Sequence, residues 1–453
     1  MVYQTGITLG MRPVLFCSLI SLILLSSCFQ SRKLIKEDLA TTRTFTGSEV
    51  QSITEVNDSL DVYSSVAAYN ANDDHSRDTK RNRESRIKTG AERTGRYFGR
   101  LRQHQKRVAV VANHTSMIGN VHLVDSMLNS GINLIKIFTP EHGFRGFAGA
   151  GEELNNETDP RTGLPIISLY GKQKKPLPTD LADVDIVVFD MQDVGVRFYT
   201  YISTMSLVME ACAENNIPFL ILDRPNPNGF YVDGPVLETT HSSFVGMHPV
   251  PIVHGMTMAE YARMVNEEGW LKGGIKCDLD WVPCSGYTHS RLYELPVKPS
   301  PNLPDMTSVI LYPTTCLFEG TKASVGRGTD YPFRYIGYPA LIGGKISFTP
   351  VSRPGATNPP YKNQVCYGFD FSKYAESIRE KPGIRLSWII NMYKADTTGS
   401  SFFTSFFTNL AGTDKLQKQI EAGMDEHSIR ESWQKPLQEF LKKRDKYLIY
   451  KDF

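Results

Sequence analysis

The sequence predicts an α/β protein, with a Rossmann-like, mostly parallel sheet that has helices on both faces and a smaller α+β C-terminal domain. Three observations lead to this prediction. Apolar segments of strand length alternate with helical segments between residues 105 and 222, a pattern typical of parallel sheets covered on both faces. Polar clusters follow the ends of these apolar segments. Helical spacing returns after residue 372, which indicates that the chain ends in a mostly helical region.

The composition is that of a packed globular protein with more than one domain. The chain has 453 residues, of which 41% are hydrophobic and 22% are charged. This length corresponds to roughly two to three domains. A formal net charge of +2 argues against a globally basic nucleic-acid binder and against an acidic solvating chain. Seven cysteines are too few for a disulfide scaffold, so the fold depends on its apolar core.

The N-terminus has the features of an export signal. Residues 14–25 form an apolar run after Arg12, which is shorter than the roughly 20 residues that span a bilayer but typical of a signal peptide. The run ends in Leu25-Ser26-Ser27-Cys28, which resembles a bacterial lipobox. We therefore expect residues 1–27 to be removed and Cys28 to carry lipids that anchor a periplasmic or outer-membrane lipoprotein in the cell envelope. An ordinary secretory signal is the alternative.

Residues 28–90 are predicted to be a polar, flexible tether. They are rich in Ser, Thr, Asn, Asp and Arg and have no sustained apolar period, as is usual for segments that cannot form a core. The locally basic residues 77–102 could dock on an anionic lipid or polymer, but a solvated linker is the simpler interpretation. We place the N-terminal domain at residues 91–244 and the C-terminal domain at residues 245–453.

Four strands and two helices are predicted in the N-terminal domain. The strands are residues 108–112, 132–138, 185–189 and 218–222, and the helices are residues 121–128 and 202–212. Right-handed crossovers bring the carboxyl ends of parallel strands to one edge, where open α/β sheets bind ligands. The polar residues after the four strands are, in turn, Asn113; Glu141, His142 and Arg145; Asp193, Arg197 and Tyr199; and Asp223 and Arg224. We expect the functional site at this edge.

No cofactor and no metal are predicted. The Gly-rich residues 143–151 lack the G-x-G-x-x-G spacing of dinucleotide sites, and the sequence contains no H-E-x-x-H, G-x-S-x-G or P-loop motif,. Glu141 and His142 could begin a metal site with Asp190, Asp193 or His254. Nothing in their spacing favours a metal over hydrogen bonding.

The second half of the chain combines short strands and helices. A helix is predicted over residues 257–270, because Thr257 and Glu260 have the spacing of a capping box. The remaining predicted elements are strands at 280–283 and 307–312, a proline-rich rigid loop at 299–304 that contains Asn302, and helices at 372–380, 385–393, 416–422 and 437–447.

A possible anion site follows the second of these strands. Glu319 precedes Arg327, which stands between Gly326 and Gly328. Small neighbours would let the Arg327 guanidinium and the exposed backbone N–H groups approach an anion closely. An ordinary Gly-rich turn is the alternative.

Several blocks of the sequence resemble one known family. The blocks are Asn113-His114, residues 140–143 (PEHG), residues 192–201 (QDVGVRFYTY), residues 222–227 (LDRPNP), Pro301-Asn302 and residues 319–329. Over about residues 105–453 the chain resembles the bacterial exo-β-N-acetylmuramidases of the NamZ type, formerly known only as a domain family of unknown function. The resemblance implies a catalytic cleft between two domains and release of N-acetylmuramic acid from the non-reducing end of peptidoglycan fragments. It also implies that Glu141 is the acid/base residue.

Glycosidic cleavage commonly needs one protonated carboxyl group and a second group on the other face of the sugar. Glu141 stands among the apolar residues Phe138, Pro140 and Phe144, which could raise its pKa. Glu319 is the candidate second carboxylate, with Asp193 in reserve. Alternatively, the 2-acetamido oxygen of the substrate attacks and is oriented by Asp193 or Tyr199.

N-acetylmuramic acid carries a lactyl carboxylate, whose recognition calls for a bidentate cation. Arg145, Arg197 and Arg327 are candidates, and Arg327 is favoured by its Gly neighbours; Arg197 could instead form an ion pair with Asp190 or Asp193. Asn113, His142, Tyr199 and Asn302 are the other candidate substrate-binding residues. The expected partners are muramyl saccharides and, through lipid on Cys28, a membrane. A metal-dependent cell-wall hydrolase and a non-catalytic sugar-binding lipoprotein stay open as alternatives.

Overall fold

The computed structural model describes residues 86–140, 143–144 and 157–453. The predicted signal peptide, Cys28 and almost all of the predicted tether therefore lie outside the described residues. From residue 84 onward the chain forms one unit. Among the described residues, no helix is both long and apolar enough to cross a membrane.

The secondary structure is mixed, as predicted. The strands among the described residues are β1 (Val108–Ala112), β2 (Met117–Ile118), β3 (Val121–His122), β4 (Leu134–Thr139), β5 (Glu157–Thr158), β6 (Pro165–Ser168), β7 (Ile186–Asp190), β8 (Phe219–Leu222), β9 (Leu279–Val282), β10 (Tyr335–Tyr338), β11 (Ile346–Phe348) and β12 (Cys366–Asp370). The α-helices in the described ranges are α1 (Phe98–Arg102), α2 (Leu123–Asn129), α3 (Pro178–Leu181), α4 (Tyr201–Glu214), α5 (Met258–Glu267), α6 (Met306–Thr315), α7 (Ala375–Glu380), α8 (Leu386–Ala395), α9 (Phe406–Ala411), α10 (Lys415–Glu421), α11 (Glu426–Ser432) and α12 (Gln434–Arg444).

Within residues 86–140, 143–144 and 157–453, seven strands form the main sheet, in the order β5-β6-β4-β1-β7-β8-β9. All neighbours pair in parallel except β5 and β6. The central strand β1 is apolar throughout because both of its faces are covered: Ala109 and Val111 belong to one hydrophobic core, and Val108, Val110 and Ala112 to another. The Rossmann-like fold class is therefore confirmed.

The strand register brings the predicted polar clusters to one edge. Ala112 of β1 lies opposite Asp190 of β7, so Asn113 and the residues after Asp190 leave the sheet side by side. On the other flank of β1, Val111 lies opposite Phe138 of β4. The loop that begins after Thr139 therefore starts from the same edge.

The sheet extends further along the chain than the predicted N-terminal domain. β9 (Leu279–Val282) pairs in parallel with β8, although it follows residue 245, where we placed the domain boundary. The boundary itself stays a prediction. Beyond β9 the chain forms a three-stranded antiparallel sheet, in the order β10-β12-β11, and helices α6 to α12, which together make the smaller α+β part.

One predicted strand is wrong. Residues 307–312 belong to helix α6, which is capped where the Asp305 side chain accepts a hydrogen bond from the Ser308 amide at 2.9 Å. All residues from Ser308 to Thr315 are buried, and a helix that is buried on every side has no clear apolar period to distinguish it from a strand. The predicted capping box of α5 is confirmed, with Thr257 and Glu260 bonded reciprocally.

Candidate active site

A cavity of about 230 Å³ lies where the loop after β7 meets the C-terminal part. We call it the Arg327 cavity. Its lining residues are Phe198, Tyr199, Thr200 and Tyr201 from that loop and the start of α4; Val245; Ser300, Asn302 and Leu303; and Tyr312, Glu319, Arg327, Phe333 and Phe406. The structure thus brings together four of the predicted site residues: Tyr199, Asn302, Glu319 and Arg327.

Glu319 and Arg327 form an ion pair in the cavity wall. Nε of Arg327 donates to Oε1 of Glu319 at 2.7 Å, and each side chain is 23% exposed. Burial alone would lower the pKa of Arg327, but the charge of Glu319 and this hydrogen bond have the larger effect and raise the pKa above its usual value. The guanidinium also lies over the ring of Phe333, 5.0 Å from its centroid.

The outer edge of the Arg327 guanidinium has no hydrogen-bond partner in the part of the chain that the structure describes. Neither Nη1 nor Nη2 hydrogen-bonds to any residue in the described ranges. Two parallel N–H donors are the group that binds a carboxylate in bidentate geometry. An anion in the cavity could therefore bind to two N–H groups of the Arg327 guanidinium, which the Phe333 ring supports from one face.

The carboxylate of Glu319 is engaged at both oxygens. Oε1 accepts from Arg327, and Oε2 lies 3.5 Å from Sγ of Cys316. Burial, followed by the nearby Glu319 charge, raises the pKa of the Cys316 thiol well above its usual value. The thiol therefore keeps its proton and acts as the donor in this contact.

Two tyrosines line another side of the cavity and are tied to the sheet edge. The rings of Tyr199 and Tyr201 meet edge to face, 4.8 Å between centroids. Tyr199 donates from its hydroxyl to the carbonyl of Pro299 at 2.8 Å, and Tyr201 accepts from Nδ2 of Asn113 at 2.8 Å. Asn113 is fully buried, so it supports the cavity wall without lining it.

Asn302 presents an amide to the cavity from the predicted rigid loop. Its Nδ2 donates to the carbonyl of Gly355 at 2.8 Å. No described residue hydrogen-bonds to its Oδ1. An acceptor held in this way suits a sugar hydroxyl.

Asp193 is buried in the loop after β7 and does not line the cavity. Its Oδ2 accepts from the Gly195 amide at 2.6 Å, whereas Oδ1 has no hydrogen-bond partner among the described residues. Burial raises the pKa of Asp193 to about 7. The hydrogen bond from Gly195 holds the carboxyl group within the loop that leads to Tyr199.

Arg197 does not line the cavity either, and the ion pair considered for it is wrong. Its guanidinium is fully buried and donates to three backbone carbonyls, those of Pro235, Val250 and Leu410, at 2.7–2.9 Å. Burial lowers its pKa to about 9. Asp190 pairs instead with Arg224, through bonds of 2.6 and 2.9 Å, because the end of β8 lies next to the end of β7.

Glu141, His142 and Arg145 lie outside the described residues. The strand before them, β4, ends at Thr139 next to β1. In the sequence they therefore follow a strand that ends at the same sheet edge as β1, and the residue after β1 is Asn113, which hydrogen-bonds to Tyr201.

One group of side chains in the described part of the chain has the composition of a cation site. Ligand atoms of Glu238, His241 and Asp414 lie within 4.8 Å of one another. Lys415 pairs with Glu238 at 2.7 Å, and Lys418 pairs with Asp414. These lysines balance the carboxylates, and the group does not line the Arg327 cavity. Asp190, Asp193 and His254, which we considered as metal ligands, do not belong to it.

Several cavity residues were not predicted. Tyr312, Phe333 and Phe406 form apolar parts of the wall. Phe333 has a φ of 59°, a left-handed conformation that is strained for a bulky residue and is found where surrounding structure enforces it. The only sequence signal was its position shortly after the Gly326-Arg327-Gly328 segment.

Comparisons with known proteins cover both parts of the fold. The N-terminal model of the family described as exo-β-N-acetylmuramidase NamZ matches residues 108–307, and its C-terminal model matches residues 310–450. The peptidoglycan β-N-acetylmuramidase NamZ of Bacillus subtilis (strain 168) is 41% identical over 370 residues, which is 76% of this chain and 87% of that protein.

Two crystal structures have the same fold. Both are DUF1343 family proteins from Bacteroides fragilis NCTC 9343. One is 46% identical with a TM-score of 0.76 and covers 82% of this chain and 100% of its own. The other is 27% identical with a TM-score of 0.67 and covers 81% of this chain and 100% of its own.

Proposed function

Since the chain belongs to the NamZ family of exo-β-N-acetylmuramidases, we propose that it releases N-acetylmuramic acid from the non-reducing end of peptidoglycan fragments. Glycosidase activity follows from the family. The proposal also includes the end of the glycan that is attacked, the protein group that recognises the sugar and the protein group that donates the proton.

The Arg327 cavity is the observation that supports this proposal most. N-acetylmuramic acid differs from N-acetylglucosamine by a lactyl carboxylate, so an enzyme selective for it needs a cation in bidentate geometry. Arg327 offers its two Nη groups to the cavity while Glu319 and Phe333 hold the guanidinium. Asn302 is the neighbouring candidate for a sugar hydroxyl, and Tyr199 provides an aromatic wall.

Glu141 is proposed as the general acid and base. In the sequence it directly follows Pro140, the residue after β4, and β4 ends at the edge from which the Asn113–Tyr201 hydrogen bond reaches the cavity. A protonated carboxyl group there would donate to the bridging oxygen of the terminal sugar and would then activate water. Its apolar sequence neighbours Phe138 and Phe144 are both buried, surroundings of the kind that raise a carboxyl pKa.

The proposed location is the cell envelope, with lipids on Cys28 as the anchor. The apolar residues 14–25 followed by Leu25-Ser26-Ser27-Cys28 support this assignment,.

A pair of matched disaccharides tests the proposed function. We expect the protein to cleave a disaccharide with β-linked N-acetylmuramic acid at the non-reducing end and to release that sugar, as identified by mass spectrometry. The disaccharide of reversed order, with N-acetylglucosamine at that end, should stay intact. Tight binding of the first disaccharide without cleavage would instead indicate a sugar-binding protein.

A further inference from the structure

The segment that carries Glu319 is short and rigid. Helix α6 ends at Thr315, and a 3₁₀ turn follows over Cys316–Gly320. Residues three apart in such a turn lie on the same side, which brings Cys316 beneath Glu319. Gly320 packs so closely on α9 that a Cβ atom there would lie 2.4 Å from Cα of Phe407. The segment therefore has little room to move.

The oxygens of Glu319 are directed at protein donors. Oε1 is 2.7 Å from Nε of Arg327, and Oε2 is 3.5 Å from the Cys316 thiol, which is itself 1% exposed. A carboxylate that attacks a sugar or activates water needs an oxygen directed at the substrate. A carboxylate that orients a cation needs its oxygens on donors, and this is the arrangement of Glu319.

Arg327 gains a defined orientation from these contacts. The Nε bond to Glu319 fixes the guanidinium plane on one side, and the Phe333 ring supports its face. The Nη edge is left for a ligand. Because Glu319 already balances the charge of Arg327, recognition of a carboxylate here depends on the placement of two N–H donors.

We infer that Glu319 is a positioning residue that orients Arg327 for the lactyl carboxylate, and that Cys316 holds Glu319 in place. The inference rests on the proposed function, and it assigns a role to Cys316, a residue that does not line the cavity. The second catalytic group is then not Glu319.

Steady-state kinetics on 4-nitrophenyl β-N-acetylmuramide test the inference. Glu319→Gln should keep kcat within about tenfold of wild type, because the amide oxygen can still accept from Arg327 Nε. A catalytic carboxylate contributes more, so a loss of kcat of about a hundredfold or greater would overturn the inference. If the wild-type protein does not cleave this substrate, the result contradicts the proposed function. If the wild type cleaves it and only Glu319→Gln loses kcat, the result contradicts the assignment of Glu319 alone.

Two Cys316 variants provide a second measurement that does not depend on Glu319→Gln folding. Cys316→Ala should raise KM by about twofold to fivefold with kcat unchanged, as expected for loss of one weak S–H donor. Cys316→Ser restores a donor and should restore KM. Cys366→Ala, at a buried thiol that lies 3.9 Å from the Gln364 carbonyl oxygen, is the matched control and should have wild-type constants. Wild-type KM in Cys316→Ala, or no rescue by Cys316→Ser, would contradict the role of Cys316.

Discussion

Asn113, the residue that follows β1, donates a hydrogen bond of 2.8 Å from Nδ2 to the hydroxyl oxygen of Tyr201, the first residue of α4. Its own Oδ1 accepts from the amide and the hydroxyl of Thr115, at 2.9 and 2.6 Å. Both the nitrogen and the oxygen of the Asn113 side chain therefore hydrogen-bond to other protein groups. It connects the edge of the sheet to the wall of the Arg327 cavity.

Tyr201→Phe should destabilise the fold by about 1–2 kcal/mol, because it leaves the Asn113 amide as a buried donor without its acceptor. Urea unfolding followed by circular dichroism measures this change. Tyr367→Phe is the matched control, since Tyr367 is 48% exposed, and should change the free energy of unfolding by less than about 0.5 kcal/mol. Equal changes in the free energy of unfolding for the two variants would show that the Asn113–Tyr201 hydrogen bond does not stabilise the fold.

Arg327→Ala should weaken recognition of muramyl ligands selectively. We expect inhibition by N-acetylmuramic acid to weaken by about a hundredfold, from the loss of a charged bidentate contact, with little change for N-acetylglucosamine. Arg327→Lys keeps the pair with Glu319 but loses the fork, so its effect should be intermediate. Equal losses for both sugars would assign lactyl recognition to another residue.

Asp193→Asn should stabilise the protein at pH 8 more than at pH 5. Burial raises the pKa of Asp193 to about 7, so the folded state binds this proton more tightly than the unfolded state does. Its ionisation then lowers stability as pH rises from about 4 to 7, by up to about 1.4 kcal/mol per pH unit. Melting temperatures of wild type and variant at several pH values measure the difference, and a constant difference would contradict it.

Asp185 is the control of opposite sign. Hydrogen bonds from the Arg107 side chain and backbone lower the pKa of Asp185 to about 2. Its contribution to stability is therefore present above about pH 4 and is lost as pH falls toward 2. The difference between wild type and Asp185→Asn should change only in that acidic range.

Cys28→Ser should move the protein from the membrane fraction to the soluble fraction, because a serine cannot carry the thioether-linked lipid. Fractionation of cells that express the full chain, followed by immunoblotting, measures this. An unchanged membrane fraction would contradict the lipid anchor on Cys28.

The sequence was sufficient to predict four strands of the main sheet, β1, β4, β7 and β8, because these strands are almost entirely buried. β1 and β8 are apolar throughout, and β7 is apolar up to its last residue, Asp190; such runs separated by helical segments indicate parallel pairing. The edge strand β5 and its neighbour β6 were missed, since two to four residues that are partly exposed carry no clear pattern,. The pairing of Glu319 with Arg327 also could not be predicted, although both were identified as site residues.

The buried arginines show where a single sequence is insufficient. Arg197 follows β7 and Arg224 follows β8, so both come after the carboxyl end of a sheet strand. The sequence does not indicate which of them pairs with Asp190. The structure assigns that role to Arg224. Arg197 instead binds carbonyls as far away as Leu410, a contact that depends on how the C-terminal helices pack against the loop after β7.

The central claim is that Glu141 supplies the proton for glycosidic cleavage, and turnover of the muramyl–glucosaminyl disaccharide by Glu141→Gln tests it most directly. We expect kcat to fall by about a thousandfold or more, while the melting temperature and the binding of N-acetylmuramic acid stay close to wild type. Near-wild-type kcat in Glu141→Gln would remove Glu141 from the acid/base role.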